Sequence, residues 1–152
     1  MTLHLTLFGG DYAILISDRR LSNDGKIITD EYNKATVLEF DDARLVCGFT
    51  GIATIGHIKR PTFSTQDWLL DALLETASPD HLSVPTLLRF KDHCSKAFRE
   101  HSALKRLSSD NRKLAIFFAG FNYDAQPAYP TAHRCAAVLT NFRGFGGVDD
   151  LP

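Results

Sequence analysis

The first seventeen residues carry the hydrophobic pattern of a β-hairpin. Apolar and polar residues alternate over residues 2–8, which is typical of a half-buried strand, and residues 12–17 form a second, nearly all-apolar run. The Gly-Gly-Asp sequence at 9–11 predicts a short turn between them. With a three-residue loop, Phe8 pairs with Tyr12, and every other antiparallel pair keeps the same sum of residue numbers.

A second hairpin is predicted shortly afterwards. Its strands are residues 34–40 and 44–48, both rich in apolar residues, and the turn between them is the Asp-Asp-Ala sequence at 41–43. Following this register to the open end of the hairpin brings Lys34 near residues 48–50.

Two helices are predicted in the middle of the chain. Ser64 precedes residues 66–75, whose apolar positions have helical spacing, and Pro61 breaks or delays any earlier start. Ser83, with a proline two residues later, can open a longer helix. Its apolar residues recur every three or four positions: Leu87, Phe90, Cys94, Ala97, Phe98 and Leu104.

Two later apolar segments, 113–121 and 134–142, predict strands, and Asn122 begins a predicted turn. Hairpins on either side of a helical region indicate an α+β fold in which two helices cover one face of a sheet. A length of 152 residues with 44% hydrophobic and 23% charged residues is that of one globular domain, residues 1–152.

The first fifty residues also contain a candidate catalytic centre. The predicted register places Thr2 opposite Asp18 on one face of the first hairpin, and Lys34 starts a strand of the second. A threonine hydroxyl needs a base, and a free α-amino group on the same residue, with a reference pKa of about 7.7–8.0, is one. Removal of Met1 would expose this amine, and a lysine ammonium held by an aspartate would favour the developing alkoxide.

At these residues the sequence resembles the proteasome β-subunit and HslV peptidase family of N-terminal nucleophile (Ntn) hydrolases. The resemblance covers about the first third of the chain. The matching segments are Thr2, then Tyr12-Ala-Ile-Leu-Ile-Ser-Asp18-Arg-Arg20-Leu-Ser, then Asn33-Lys34-Ala-Thr-Val, then Cys47-Gly48-Phe-Thr-Gly51. The resemblance implies a four-layer αββα sandwich of antiparallel sheets and a threonine peptidase or amidase that acts on peptide or amide substrates.

Carried over to this chain, the resemblance implies that Thr2 is both nucleophile and base. Lys34 would be its electrostatic activator, Asp18 the partner of that lysine, and Arg20 a residue of the supporting charge network. The oxyanion hole would be the backbone N–H of Gly48 or that of Gly51. The implied substrate pocket is apolar with a few hydroxyl groups and is formed by Leu21, Tyr32, Thr36, Val46 and Thr50.

The chain departs from the family in two places. The first helix begins late, and the later strands and helices of the family, with their supporting serine and aspartate, have no matching positions before Pro152. A sandwich without its outer layer would leave apolar sheet surface open, which favours a homo-oligomer. A catalytically inactive proteasome-like scaffold or assembly module is therefore the alternative function. The resemblance also suggests an ATP-dependent unfoldase as a partner, although this chain carries no ATP-binding motif.

Composition limits the binding partners, cellular location and cofactors that the sequence allows. The net charge of −1 provides no general attraction to nucleic acid or to an anionic membrane. We expect a cytoplasmic protein, because no apolar segment is long enough to span a membrane and the N-terminus lacks the features of a signal peptide. Three scattered cysteines and six scattered histidines predict neither a disulfide framework nor a metal site, and no cofactor is expected.

Overall fold

The computed structural model of the chain describes residues 4–10, 12–23, 26–123 and 131–141. These residues form an α+β fold whose strand pairs are antiparallel. The strands are β1 (His4–Phe8), β2 (Ala13–Ser17), β3 (Leu21–Asn23), β4 (Lys26–Thr29), β5 (Ala35–Glu39), β6 (Ala43–Gly51), β7 (Thr54–His57), β8 (Arg60–Ser64), β9 (Leu114–Tyr123) and β10 (Ala132–Thr140). The helices are α1 (Thr65–Thr76) and α2 (Ser83–Glu100), and two 3₁₀ turns follow at Leu104–Arg106 and Asp110–Arg112.

The core lies between a four-stranded sheet and the two helices. The sheet has the order β10-β9-β6-β5, so β6 and β9 are its central strands. Cys47 and Phe49 on β6 are buried in one cluster with Leu69 of α1 and with Phe90 and Phe98 of α2. The prediction that two helices cover one face of a sheet is therefore confirmed.

The hairpin of β1 and β2 lies on the other face of this sheet. It contacts β6 and β9, and the rings of Phe8 and Phe121 meet edge to face with their centroids 6.2 Å apart. Phe121 pairs with Arg44, which has the opposite parity on β6 to Cys47 and therefore points away from the helices. Helices, central sheet and hairpin are thus three successive layers.

The hairpin of β1 and β2 was predicted, but the predicted register differs from the observed one by one residue. Phe8 pairs with Ala13 rather than with Tyr12, and the Gly9 N–H donates to the Tyr12 carbonyl at 2.8 Å. The connection is longer than the predicted three-residue loop. A register shift of one residue gives every residue of β1 a different partner on β2, with a side chain from the other face of that strand. The predicted pairing of Thr2 with Asp18 therefore does not follow from this hairpin.

The second hairpin is confirmed, but its turn is one residue shorter than predicted: Arg44 pairs with Glu39, and the Phe40 N–H donates to the Ala43 carbonyl at 2.9 Å. Ala35 pairs with Gly48, and the Phe49 N–H donates to the Lys34 carbonyl at 3.2 Å. Lys34 therefore lies beside residues 48–50, as predicted.

Helix α1 begins where its cap predicts. The Ser64 hydroxyl accepts a hydrogen bond from the Asp67 N–H at 3.3 Å, which satisfies one of the free donors of the first turn. The delay attributed to Pro61 is confirmed, but residues 54–64 form the hairpin of β7 and β8, which the hydrophobic pattern did not predict. Pro61 is tolerated at a pairing that shifts its register between Ile55 and Gly56.

Helix α2 is capped by a residue from another part of the chain. The Asp42 carboxylate, in the turn between β5 and β6, accepts hydrogen bonds from the Ser83 N–H at 2.7 Å and the Ser83 hydroxyl at 3.0 Å. The Asn122 amide donates to the same carboxylate at 3.4 Å. The predicted turn at Asn122 is wrong, because Asn122 and Tyr123 continue β9 opposite β10. The predicted extension of α2 to Leu104 is also wrong: the helix ends at Glu100, and buried Leu104 starts a 3₁₀ turn.

We expect Asp42→Ala to lower the free energy of unfolding by about 2 kcal/mol, since it removes a helix cap and leaves polar groups of Ser83 and Asn122 without their acceptor. Urea unfolding monitored by circular dichroism measures the change. Asp41→Ala is the matched control, because Asp41 is an exposed neighbour with the same charge. Equal losses in the two variants would mean that net charge, and not the cap, explains the effect.

Candidate active site

Lys34 is the most unusual charged residue of the described chain. Its side chain is only 2% exposed, although it stands at the start of an edge strand. The Nζ atom donates a hydrogen bond to the carbonyl oxygen of Arg20 at 2.5 Å. Burial lowers the pKa of the Lys34 ammonium, and the nearby Asp18 carboxylate partly opposes this by favouring the charged form.

Asp18 is held in the short connection between β2 and β3. Its Oδ1 atom accepts a hydrogen bond from the Arg20 N–H at 2.9 Å. This bond is the largest influence that lowers the pKa of the Asp18 carboxyl, and the charges of Lys34 and Arg20 lower it further. The fold therefore brings Asp18, Arg20 and Lys34 together from two segments of the chain.

The Arg20 side chain pairs with a residue that the sequence analysis did not select. Its Nε atom lies 2.8 Å from Oδ1 of Asp30, and both side chains are exposed. The Arg19 guanidinium donates to the carbonyl of Glu31, and the Tyr32 N–H donates to the carbonyl of Arg19. These bonds fasten the connection that carries Asp18 to the segment that leads into Lys34. No sequence motif marks Asp30 as the partner of Arg20.

The two glycines considered for the oxyanion hole have different surroundings. Gly48 is buried within β6, with Ala35 on one side and Phe117 on the other. Since the Phe49 N–H points to the β5 side, the Gly48 N–H points to β9, within the sheet. Gly51 is exposed at the end of β6 with φ of 105°, and a Cβ atom there would lie 2.0 Å from the Lys113 carbonyl oxygen. Gly51 is therefore the better placed of the two.

A cavity of about 650 Å³ opens beside this cluster. It is bordered by four residues that the sequence analysis selected, namely Arg20, Leu21, Thr50 and Gly51. The remaining lining residues come from β3, β4, the connection between β6 and β7, β7 itself and the segment after α2, and they are Ser22, Ile28, Ile52, Ala53, Thr54, Ile55, Gly56, Leu107 and Asn111.

The other three residues proposed for the substrate pocket lie apart from one another. The Tyr32 hydroxyl is within 3.1 Å of both the Ala53 carbonyl and the Ser64 hydroxyl, and burial raises its pKa. Thr36 pairs with Cys47 and so lies on the helix face of the sheet, whereas Val46 has the opposite parity. Thr36 and Val46 therefore lie on different faces.

Thr2 and Met1 lie outside the described residues. The centre that the structure describes consists of the groups predicted to surround the nucleophile. Sequence analysis missed the part of the cavity wall that the hairpin of β7 and β8 and the segment after α2 supply. Gly56 was the one sequence signal for the hairpin of β7 and β8, because an isolated glycine in a strand often marks a bulge. In the structure φ at Gly56 is 91°.

The described residues hold no group of three or more His, Cys, Asp or Glu side chains arranged to bind a metal ion. Burial raises the pKa values of the Cys47 and Cys94 thiols, which makes both poor nucleophiles. Neither helix in the described part of the chain combines the length and apolar character needed to cross a membrane.

Comparison with models of protein families, with curated proteins and with solved structures found no match for this chain. The functional argument therefore depends on the residues of the site.

Proposed function

We propose that the chain is a proteasome-like threonine peptidase or amidase in which Thr2, once Met1 is removed, is the nucleophile. The observation that carries this proposal is the buried Lys34 ammonium beside Asp18, in a cluster whose third member, Arg20, borders an open cavity. Burying an ammonium is unfavourable, and a titratable group with a lowered pKa next to a charged partner is typical of a functional site.

In the proposed reaction the Thr2 hydroxyl attacks the carbonyl carbon of an amide while its proton passes to the α-amino group of the same residue. The C–N bond then breaks, the leaving amine takes up that proton, and an ester to Thr2 remains. A water molecule, deprotonated by the same amine, hydrolyses the ester. The Lys34 ammonium favours the developing alkoxide, Asp18 holds the lysine charged, and a backbone N–H, for which Gly51 is the better-placed candidate, stabilises the oxyanion.

The layer order supports an Ntn-type αββα sandwich as the fold of this proposal. Helices, central sheet and the hairpin of β1 and β2 correspond to three of its four layers. The outer face of that hairpin is apolar, and its side chains are between 44% and 52% exposed: Leu5, Leu7, Ile14 and Ile16. In a complete sandwich this surface would be covered by the fourth layer.

The same exposed face favours the second candidate function, a catalytically inactive scaffold or assembly module. Contiguous apolar surface of this kind is typical of association sites. In this alternative the chain would associate with further copies or with other subunits through the hairpin, and the α-amino group of Thr2 would remain blocked by Met1.

Intact-mass measurement of the purified protein, before and after treatment with a peptide epoxyketone, tests the proposal. This reagent forms a ring with both the hydroxyl and the amine of an N-terminal threonine. The hydrolase should begin at Thr2, gain one equivalent of reagent, and show the adduct on Thr2 after proteolysis.

Thr2→Ala is the control and should remain unlabelled with an unchanged circular dichroism spectrum. Met1 retained on every molecule, or equal labelling of wild type and Thr2→Ala, would contradict the hydrolase and favour the scaffold.

A further inference from the structure

The cavity beside Arg20 is lined by two groups of residues. One wall belongs to the catalytic cluster and includes Arg20, Thr50 and Gly51. Other parts of the wall come from Ile55 on β7 and from Asn111 in the second 3₁₀ turn after α2. A volume of about 650 Å³ lies within the range of about 300–1,000 Å³ that is usual for ligand sites.

The lining of the cavity is close to electrically neutral. Arg20 is the one charged side chain among its described lining residues, and its guanidinium is paired with Asp30 at 2.8 Å. The rest of the wall consists of aliphatic side chains, hydroxyl groups and one amide. Such a lining accepts an uncharged group, because a charged one would lose its hydration without gaining an ionic partner.

Asn111 is the amide of this wall. It is exposed, and its backbone N–H donates to the Ser108 carbonyl at 3.1 Å. Its side-chain amide forms no hydrogen bond with any other residue that the structure describes, so its donor and acceptor are available to a ligand. Its charged neighbour Asp110 is already paired, with Oδ1 2.9 Å from Nζ of Lys113.

On the basis of the proposed hydrolase, we infer that this cavity binds an uncharged side chain of a peptide substrate and that Asn111 determines this specificity. The side chain would lie between the end of β6 and the hairpin of β7 and β8, with Asn111 at the rim. The specificity is therefore set by segments outside the four-stranded sheet that carries Lys34.

The test compares kcat/KM for three fluorogenic peptides that differ only at the residue before the scissile bond, which is leucine, glutamate or lysine. Wild type should prefer the leucine peptide. Asn111→Lys should raise the ratio of glutamate to lysine peptide about tenfold, and Asn111→Asp should lower it about tenfold, which corresponds to about 1.4 kcal/mol. Ser109→Lys and Ser109→Asp are the controls, because Ser109 is exposed immediately before the same 3₁₀ turn and these substitutions change the net charge equally.

A switch in charge preference at position 111 that is absent at 109 supports the inference, and a merely structural role of Asn111 would not produce it. Hydrolysis of all three peptides without such a switch, or a wild-type preference for a charged residue, overturns the inference and leaves the hydrolase intact. If no peptide is cleaved and Thr2 is not labelled, the proposed function fails and this inference fails with it.

Discussion

Lys34→Met should lower kcat by about 10²- to 10³-fold, the size of effect seen when a preorganised electrostatic contact to a developing oxyanion is removed. Methionine has a similar length and no charge, so it fills the space of the lysine stem. The variant would still contain Thr2 and its amine but would lack the ammonium that favours the alkoxide. Turnover of the leucine peptide, together with the rate of epoxyketone labelling, measures the loss.

The same substitution should leave the fold intact and raise the free energy of unfolding by about 1 kcal/mol, as is common when a strained functional group is replaced. Burial lowers the Lys34 pKa in the folded state, so the unfolded chain binds this proton more tightly. The unfavourable contribution of the charged form is therefore fully present below the folded-state pKa and disappears as the pH rises through it towards the unfolded value. The advantage of Lys34→Met over wild type should shrink as the pH rises towards about 10.4, the reference pKa of a lysine in an unfolded chain.

Lys59→Met is the matched control, because Lys59 is exposed in the connection between β7 and β8. It should change neither turnover nor the pH dependence of stability. A Lys34→Met variant with wild-type kcat would contradict the catalytic role of Lys34. A marked loss of stability in Lys34→Met would instead indicate that Lys34 has a mainly structural role, which includes its hydrogen bond to the Arg20 carbonyl.

Gly120→Ala should lower the free energy of unfolding by at least about 3 kcal/mol, the upper part of the usual range for overpacking. Gly120 pairs with Leu45 across the two central strands. A Cβ atom at Gly120 would lie 2.0 Å from the Arg44 carbonyl oxygen and 2.9 Å from the Leu45 Cα atom. Both neighbours are backbone atoms, so the clash can be relieved only by moving β6 and β9 apart. A loss of this size is a large part of the 5–15 kcal/mol typical of a domain.

Urea and thermal unfolding measure this loss, with Gly10→Ala as the control. A Cβ atom at Gly10 would meet nothing within 4 Å, so this substitution should change stability by less than about 0.5 kcal/mol. Similar stability of Gly120→Ala and wild type would show that β6 and β9 are less closely paired at this point than described.

The elements that could be predicted from sequence are those whose signals lie within a few residues. Ser64 caps α1 because its hydroxyl reaches the N–H three residues later, and this relation is visible in any local segment. The second hairpin follows from two apolar segments around a short turn, which sets Lys34 beside Phe49. Asp18 was proposed as the partner of Lys34 from the resemblance to the Ntn family and not from a local signal.

Other features depended on contacts between distant segments. In the first hairpin the hydrophobic pattern does not distinguish two registers, because the nearly all-apolar second strand allows Phe8 to pair with either Tyr12 or Ala13. The structure has Phe8 opposite Ala13. Phe8 packs on Phe121 of the central sheet, a contact between residues far apart in the chain. The cap of α2 by Asp42 joins residues 41 positions apart, and no pattern near Ser83 indicates it.

The sequence by itself determined the α+β class, the helix stripes, the cap of α1, the second hairpin and the nearness of Lys34 to residues 48–50. Only the tertiary structure decided that Lys34 is buried against the Arg20 carbonyl, that Arg20 pairs with Asp30, and that β7 and Asn111 wall the cavity. The physical reason is how far apart along the chain the interacting residues lie. Periodicity, caps and turns depend on neighbours along the chain, whereas burial, pKa and cavity shape depend on which distant segments pack together.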